Sequence, residues 1–169
     1  MALREIRQEG DEILKKRARE VKEINQSILT LLDDMMETLI QKDGVGIAAP
    51  QLGVLKRVAV VSYEDETYEM INPVIVSEEG KQNCNEACLS VPGRCGDVER
   101  PFRLTVKATN RHGEEYTFTV EDFMASVVSH ELDHLDGILF LDRATSVQFL
   151  NDSQMERRRR ARRKRLKKK

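Results

Sequence analysis

The segment Ser129–Gly137 reads SHELDHLDG and holds two of the three histidines in the chain. On an α-helix, residues four apart lie one above the other on one face, so His130 and His134 can point at one metal ion. Glu131 stands one step round the helix, close enough to reach a water on that ion without being a ligand itself. This is the chemistry of a hydrolase, in which an ion activates water and a carboxylate takes its proton. Phe123, Ser126 and Val127 precede His130 by seven, four and three residues, so the same face continues as a largely apolar wall beside the ion.

Two histidines do not complete such a centre, which typically keeps three protein ligands and a water. Zinc proteases built on HExxH draw the third ligand from a downstream Glu or His. Downstream of His134 there is no histidine, and the acids are Asp136, Asp142, Asp152 and Glu156. Upstream, Glu86–Gly93 (EACLSVPG) reads as a loop of small residues with Cys88 at its middle. A thiolate is a strong ligand for Zn2+ or Fe2+. Cys84 and Cys95 offer the same chemistry, and composition alone leaves all three open.

The elements that must position these groups read as follows. Ile28, Leu31, Leu32, Met35 and Leu39 recur at helical spacing behind Asn25 and Ser27, predicting a helix over 26–41 that Asp43-Gly44 ends. Residues 57–63 and 68–76 read as strands, the second bent or ended near Pro73. Residues 103–109 and 115–120 alternate apolar and polar around Asn110-Arg111-His112-Gly113, which predicts an antiparallel hairpin with His112 as a turn residue. The metal-binding helix is expected to start near Glu121-Asp122, whose acids suit a positive N-terminal dipole, and to stop at Gly137. A third helix is expected from about residue 146. Strands punctuated by isolated helices give an α+β fold, with antiparallel strands packed around the central metal-binding helix and a C-terminal helix.

A length of 169 residues suits one compact body, expected as a catalytic unit over 1–145 followed by a basic segment over 146–169. An apolar fraction of 40% with mixed charges excludes disordered and fibrous classes. No apolar run nears the ~20 residues that span a bilayer, and no export signal is read, so the cytoplasm is expected and no membrane partner. Three cysteines without an export signal argue for free thiols or ligands over a disulfide framework. The net charge of −1 hides an asymmetry. Residues 156–169 (ERRRRARRKRLKKK) hold 11 of the 28 basic residues and one of the 29 acidic ones, leaving 17 basic and 28 acidic in the body.

Three segments together resemble the peptide deformylase family in order and spacing: Gly44–Gln51 (GVGIAAPQ), Glu86–Ser90 (EACLS) and His130–His134 (HELDH). The stretch Ile6–Val21 looks like the opening of that family, and the resemblance covers nearly the whole of residues 1–142. It implies hydrolytic removal of the formyl group from the N-terminal formyl-methionine of new polypeptides, releasing formate, by a metal-bound water. It further implies Cys88, His130 and His134 as ligands, Glu131 as base, and Gln51 and Leu89 as oxyanion donors. Fe2+ is the working ion so implied, while Zn2+, Ni2+ and Co2+ suit the same ligands. Gly46 would let a peptide backbone approach, and Val45, Val127 and Phe123 would form the pocket for the methionine side chain. Glu86 is a candidate to pair with Arg100, and Asp133, two residues off the ligand row, is assigned to structure. One departure stands out: the family usually has Gly where this chain has Ala87, which matters if the backbone there needs a positive φ.

The cationic tail attracts phosphate. Because the resemblance implies work on nascent chains, residues 156–169 are expected to meet ribosomal RNA, with no DNA partner and a monomeric chain. Two rival classes remain at this stage. A metalloprotease would cleave internal peptide bonds but lacks its downstream ligand; an RNA-binding module would have no use for the two loops.

Overall fold

The computed structural model describes residues 2–166. Its first helix, α1 (Gln26–Gln41), is capped by the Asn25 side chain, which accepts from the backbone N–H groups of Ser27 and Ile28. The five apolar residues at helical spacing are all buried, as expected from the periodicity. α1 ends before Asp43, which takes the left-handed conformation at φ 52°.

A five-stranded antiparallel sheet follows, from β1 (Gly46–Ala48), β2 (Val58–Tyr63), β3 (Glu66–Glu79), β6 (Arg103–Thr109) and β7 (Glu115–Glu121), in the spatial order β1-β2-β3-β6-β7. β6 and β7 form the expected antiparallel hairpin, with Val106 opposite Phe118 and Leu104 opposite Val120. Pro73 does not end its strand. The register shifts between Ile71 and Val74, where Asn72 adopts φ 50°, and β3 continues past the bulge to pair with β6.

A second sheet was not foreseen. It comprises β4 (Gln82–Cys88), β5 (Val91–Arg100) and β8 (Ser146–Phe149), in the order β4-β5-β8. The expected loop of small residues is therefore the end of β4 and its two-residue turn, Leu89-Ser90, into β5. Gln82, Asn83, Asn85 and Glu86 have low strand propensity, which hid β4. The third helix also starts later than expected. Residues 146–149 alternate as an exposed strand on β5, and α4 (Asp152–Leu166) begins only after Asn151, whose side chain accepts from the Gln154 N–H. Residues 146–149 thus belong to the body.

α2 (Asp122–Leu135) runs through the middle, and every residue from Met124 to Leu135 is buried. Ala125, Val128 and Leu132 pack with Ala59, Val61, Leu104 and Val106 of the larger sheet. Each fully buried Val or Leu side chain contributes about 1.5–3 kcal/mol relative to exposure. That packing fixes the helix so that its polar residues are held inside. A short helix α3 (Phe140–Arg143) returns the chain to the second sheet, and Phe140 and Leu139 join Val91 and Val98 in a separate cluster. No described helix is long and apolar enough to cross a membrane.

Candidate active site

α2 carries His130 and His134 on one face, with their Nε2 atoms 3.2 Å apart. Cys88, the last residue of β4, brings its Sγ to 3.3 Å from His134 Nε2. The three donor atoms lie within 4.8 Å of one another. Metal–nitrogen bonds of 2.0–2.1 Å and metal–sulfur bonds of 2.3 Å in a tetrahedral centre place donors about 3.3–3.6 Å apart, so a thiolate and two imidazoles in this arrangement fit one transition-metal ion. Cys88 is thus the cysteine that joins the histidines. Cys84 lies further up β4, where burial pushes its thiol upward, and Cys95 is fully buried on β5.

Buried charge organises the ligands. Glu86 Oε2 sits 2.8 Å from His130 Nδ1, an acceptor that holds the proton on Nδ1 and turns Nε2 towards the other donors. Arg100 grips Glu86 through two bonds of 2.6 and 3.0 Å, and its third nitrogen reaches Asp133 Oδ2 at 2.7 Å. Arg143 closes the chain on Asp133 with bonds of 2.6 and 2.9 Å. Burial alone would raise Glu86, but Arg100 and His130 bring its pKa down to about 2. Burial lowers His134, and the nearby positive charge of His130 lowers it further. His130 moves the other way: burial would lower it, but its contacts with Cys88 and Glu86 and the nearby Glu131 outweigh that. The sequence offered Glu86 and Arg100 as a candidate pair. It gave no sign that Asp133 and Arg143 extend the pair, since these residues meet only through the packing of α2 and α3 on the second sheet.

Glu131 is 4% exposed, and its Oε2 has no hydrogen-bond partner among the described residues. Burial pushes its pKa up to about 7. Its carboxyl group occupies the space beside Gly46, where an added Cβ would lie 2.5 Å from Oε1. Gln51, also buried, is fixed by the Ala48 N–H, which donates to its Oε1 at 2.9 Å. Its Nε2 donates to Ser90 Oγ at 3.1 Å and faces Cys88 Sγ at 3.6 Å. Leu89 follows Cys88 in the turn. Ala87 is not among the described residues with positive φ, so its methyl group strains nothing in the backbone.

These groups open into a cleft of about 550 Å3. Val45, Gly46, Phe123 and Val127 line it together with Cys88, Leu89, His130 and Glu131. β1 and β4 are the end strands of their sheets and border the cleft from two sides. α4, expected as a basic C-terminal helix but not beside the metal ligands, also lines the cleft, through Arg158, Ala161, Arg162 and Arg165.

The chain matches the family described as polypeptide deformylase over residues 3–149. It is 52% identical over 159 residues to a peptide deformylase of Acetivibrio thermocellus, covering 94% of this chain and 92% of that protein. A peptide deformylase of Thermoanaerobacter pseudethanolicus is 47% identical over 156 residues, covering 92% of this chain and 97% of its own length. The crystal structure of peptide deformylase from Thermotoga maritima superposes with a TM-score of 0.83 at 35% identity, over 86% of this chain and all of that one. An actinonin-bound class I type b peptide deformylase from Acinetobacter baumannii superposes with a TM-score of 0.81 at 36% identity, over 86% of this chain and all of that one. The chain therefore belongs to the polypeptide deformylase family.

Proposed function

We propose that Cys88, His130 and His134 hold one divalent ion, that Glu131 is the general base, and that Gln51 and Leu89 stabilise the oxyanion as the chain removes the formyl group from N-formylmethionyl peptides. The observation that carries this reading is the convergence of a cysteine sulfur and two imidazoles beside the buried Glu131 carboxyl group, whose Oε2 has no hydrogen-bond partner among the described residues. When bound, such an ion would lower the pKa of a coordinated water to about 7 and make a carbonyl beside it more electrophilic.

The protein's own groups do the rest. Glu131 accepts the proton of the attacking water and passes it to the departing amine nitrogen, a task suited to a group whose pKa lies at about 7. The Gln51 amide is held by Ala48 and Ser90, so the second N–H of its Nε2 is available to the developing oxyanion. The backbone N–H of Leu89 is the second donor, and losing one such donor costs about 2.7–4 kcal/mol of barrier. Glu86 and Arg100 hold His130 in one tautomer and orientation. An extended peptide adds to the open edge of β1, with the methionine side chain among Val45, Phe123 and Val127.

Fe2+ is the proposed ion in the cell, with Zn2+, Ni2+ and Co2+ as substitutes for the same donors. We place the protein in the cytoplasm as a monomer whose catalytic unit is followed by a basic helix. The outward basic residues of that helix are proposed to meet ribosomal RNA, and co-sedimentation with ribosomes that survives deletion of 156–169 would overturn that part. Formate release from formyl-Met-Ala-Ser by protein purified without oxygen, with metal content measured in parallel, tests the activity. Metal-loaded protein that releases no formate would exclude it.

A further inference from the structure

α4 follows the residues 3–149 that the family model covers, and it forms one side of the cleft. Arg158, Arg162 and Arg165 recur at helical spacing on the face that lines it, with Ala161 as the small residue between them. The helix is tied to both borders of the cleft. Arg163 Nε bonds Asp43 Oδ2 at 2.7 Å, and Arg162 donates to the Asp43 carbonyl at 3.4 Å, just before β1. Arg158 donates to the side chain of Asn85 on β4. Arg165 lies over the Phe123 ring at 5.2 Å, a cation–π contact at the rim of the apolar pocket.

Among the described residues, Arg160 and Arg163 have carboxylate partners in Glu156 and Asp43, whereas Arg158, Arg162 and Arg165 have none. The acids lining the cleft are Glu86, already gripped by Arg100, the buried Glu131, and Asp122. Burial, followed by repulsion from Arg158, brings Arg162 below the usual arginine pKa. Three guanidinium groups therefore line the cleft with no carboxylate paired to any of them among the described residues.

We propose that α4 is the outer wall of the substrate cleft, and that Arg158, Arg162 and Arg165 select formylated peptides with acidic side chains just after the methionine. The inference rests on the deformylase reading above. With the formyl group at Cys88 and His130 and the methionine side chain at Phe123 and Val127, an extended chain advances about 3.3 Å per residue. It then passes the rim where Arg165 covers Phe123, and its next side chains meet the arginine face. A carboxylate there gains a partner, and an ammonium is repelled, in a cleft whose walls limit screening.

The test uses formyl-Met-Ala-Xaa-Ala peptides with Xaa as Glu, Gln or Lys, amidated at the C-terminus so that no terminal carboxylate competes. The full-length metal-loaded protein should show kcat/KM for Glu above that for Lys by about tenfold at low ionic strength, with the ratio shrinking at high salt. R158A/R162A/R165A should bring the ratio near one. R157A/R159A/K164A removes the same charge from exposed positions of α4 and should keep it. R158E/R162E should invert it, which decides the matter if the alanine variant is poorly folded. Formate released without a charge preference, or a preference lost equally in the exposed-position variant, overturns the role of the wall alone. No formate from any peptide overturns the deformylase reading, and the wall with it.

Discussion

The carboxyl group of Glu131 occupies the space that a side chain at Gly46 would need: a Cβ there would stand 2.5 Å from Oε1 and 2.8 Å from Cγ. Gly46 was singled out from sequence for the approach of a substrate backbone. Its closest neighbour is instead the proposed base, held between α2 and β1 by the absence of a methyl group. Gly46→Ala should therefore leave metal content near normal while displacing Glu131, and misplacing a reacting group by about 1 Å typically costs about a hundredfold in rate. Equal turnover by a metal-loaded G46A protein would show that the close approach has no catalytic role.

Glu131→Gln should retain the ion and lose about 10²–10⁴-fold in turnover, the usual contribution of a positioned base. The same substitution tests the burial of the charge. In metal-free protein the Glu131 pKa is raised from 4.5 to about 7, so the folded state binds a proton more tightly than the unfolded state. Its relative stability is then greatest below pH 4.5 and declines as pH rises through about 7. Metal-free E131Q should accordingly melt at a higher temperature than wild type at pH 8, with the gap closing at pH 5. A gap of the opposite sign would refute the assignment.

Much of this centre was legible in the chain, for reasons that the particular residues show. His130, Glu131 and His134 needed only helical geometry, and α1 needed only the periodicity from Ile28 to Leu39. Cys88 was one of three cysteines of equal chemistry until a family resemblance distinguished it, and the fold then set its Sγ beside His134. β4 was not legible because Gln82–Cys88 has neither alternation nor β-branched residues; partners on β5 make it a strand. The position of α4 was equally hidden. Its composition is that of a solvated tail, and only Asp43, Asn85 and Phe123, all distant from it in sequence, bring it to the cleft.

The buried pair of Glu86 and Arg100 gives the fold a defined acid sensitivity. The Glu86 pKa falls from 4.5 to about 2 on folding, so the pair contributes fully above pH 4.5 and is lost as pH drops through about 2. A shift of that size corresponds to roughly 3 kcal/mol at neutral pH. Glu86→Gln should be destabilised by about 3–5 kcal/mol at pH 7, because it leaves the Arg100 charge buried with only Asp133 opposite. Urea unfolding at pH 7 and pH 3 checks this, and the difference from wild type should narrow at the lower pH. A constant difference would assign the effect to packing.

Cys88→Ser should weaken metal binding or change which ion is retained, since a serine oxygen is a harder and weaker donor for zinc or iron than a thiolate. Cys84→Ser and Cys95→Ser should do neither. Cys84 lies up the strand on the cleft wall, and Cys95 is enclosed within β5, so neither thiol belongs to the donor group. Metal analysis of the three purified variants, each folded as judged by thermal unfolding, separates the roles. Retention of a full equivalent of unaltered metal by C88S, or its loss from C84S, would move the third ligand elsewhere.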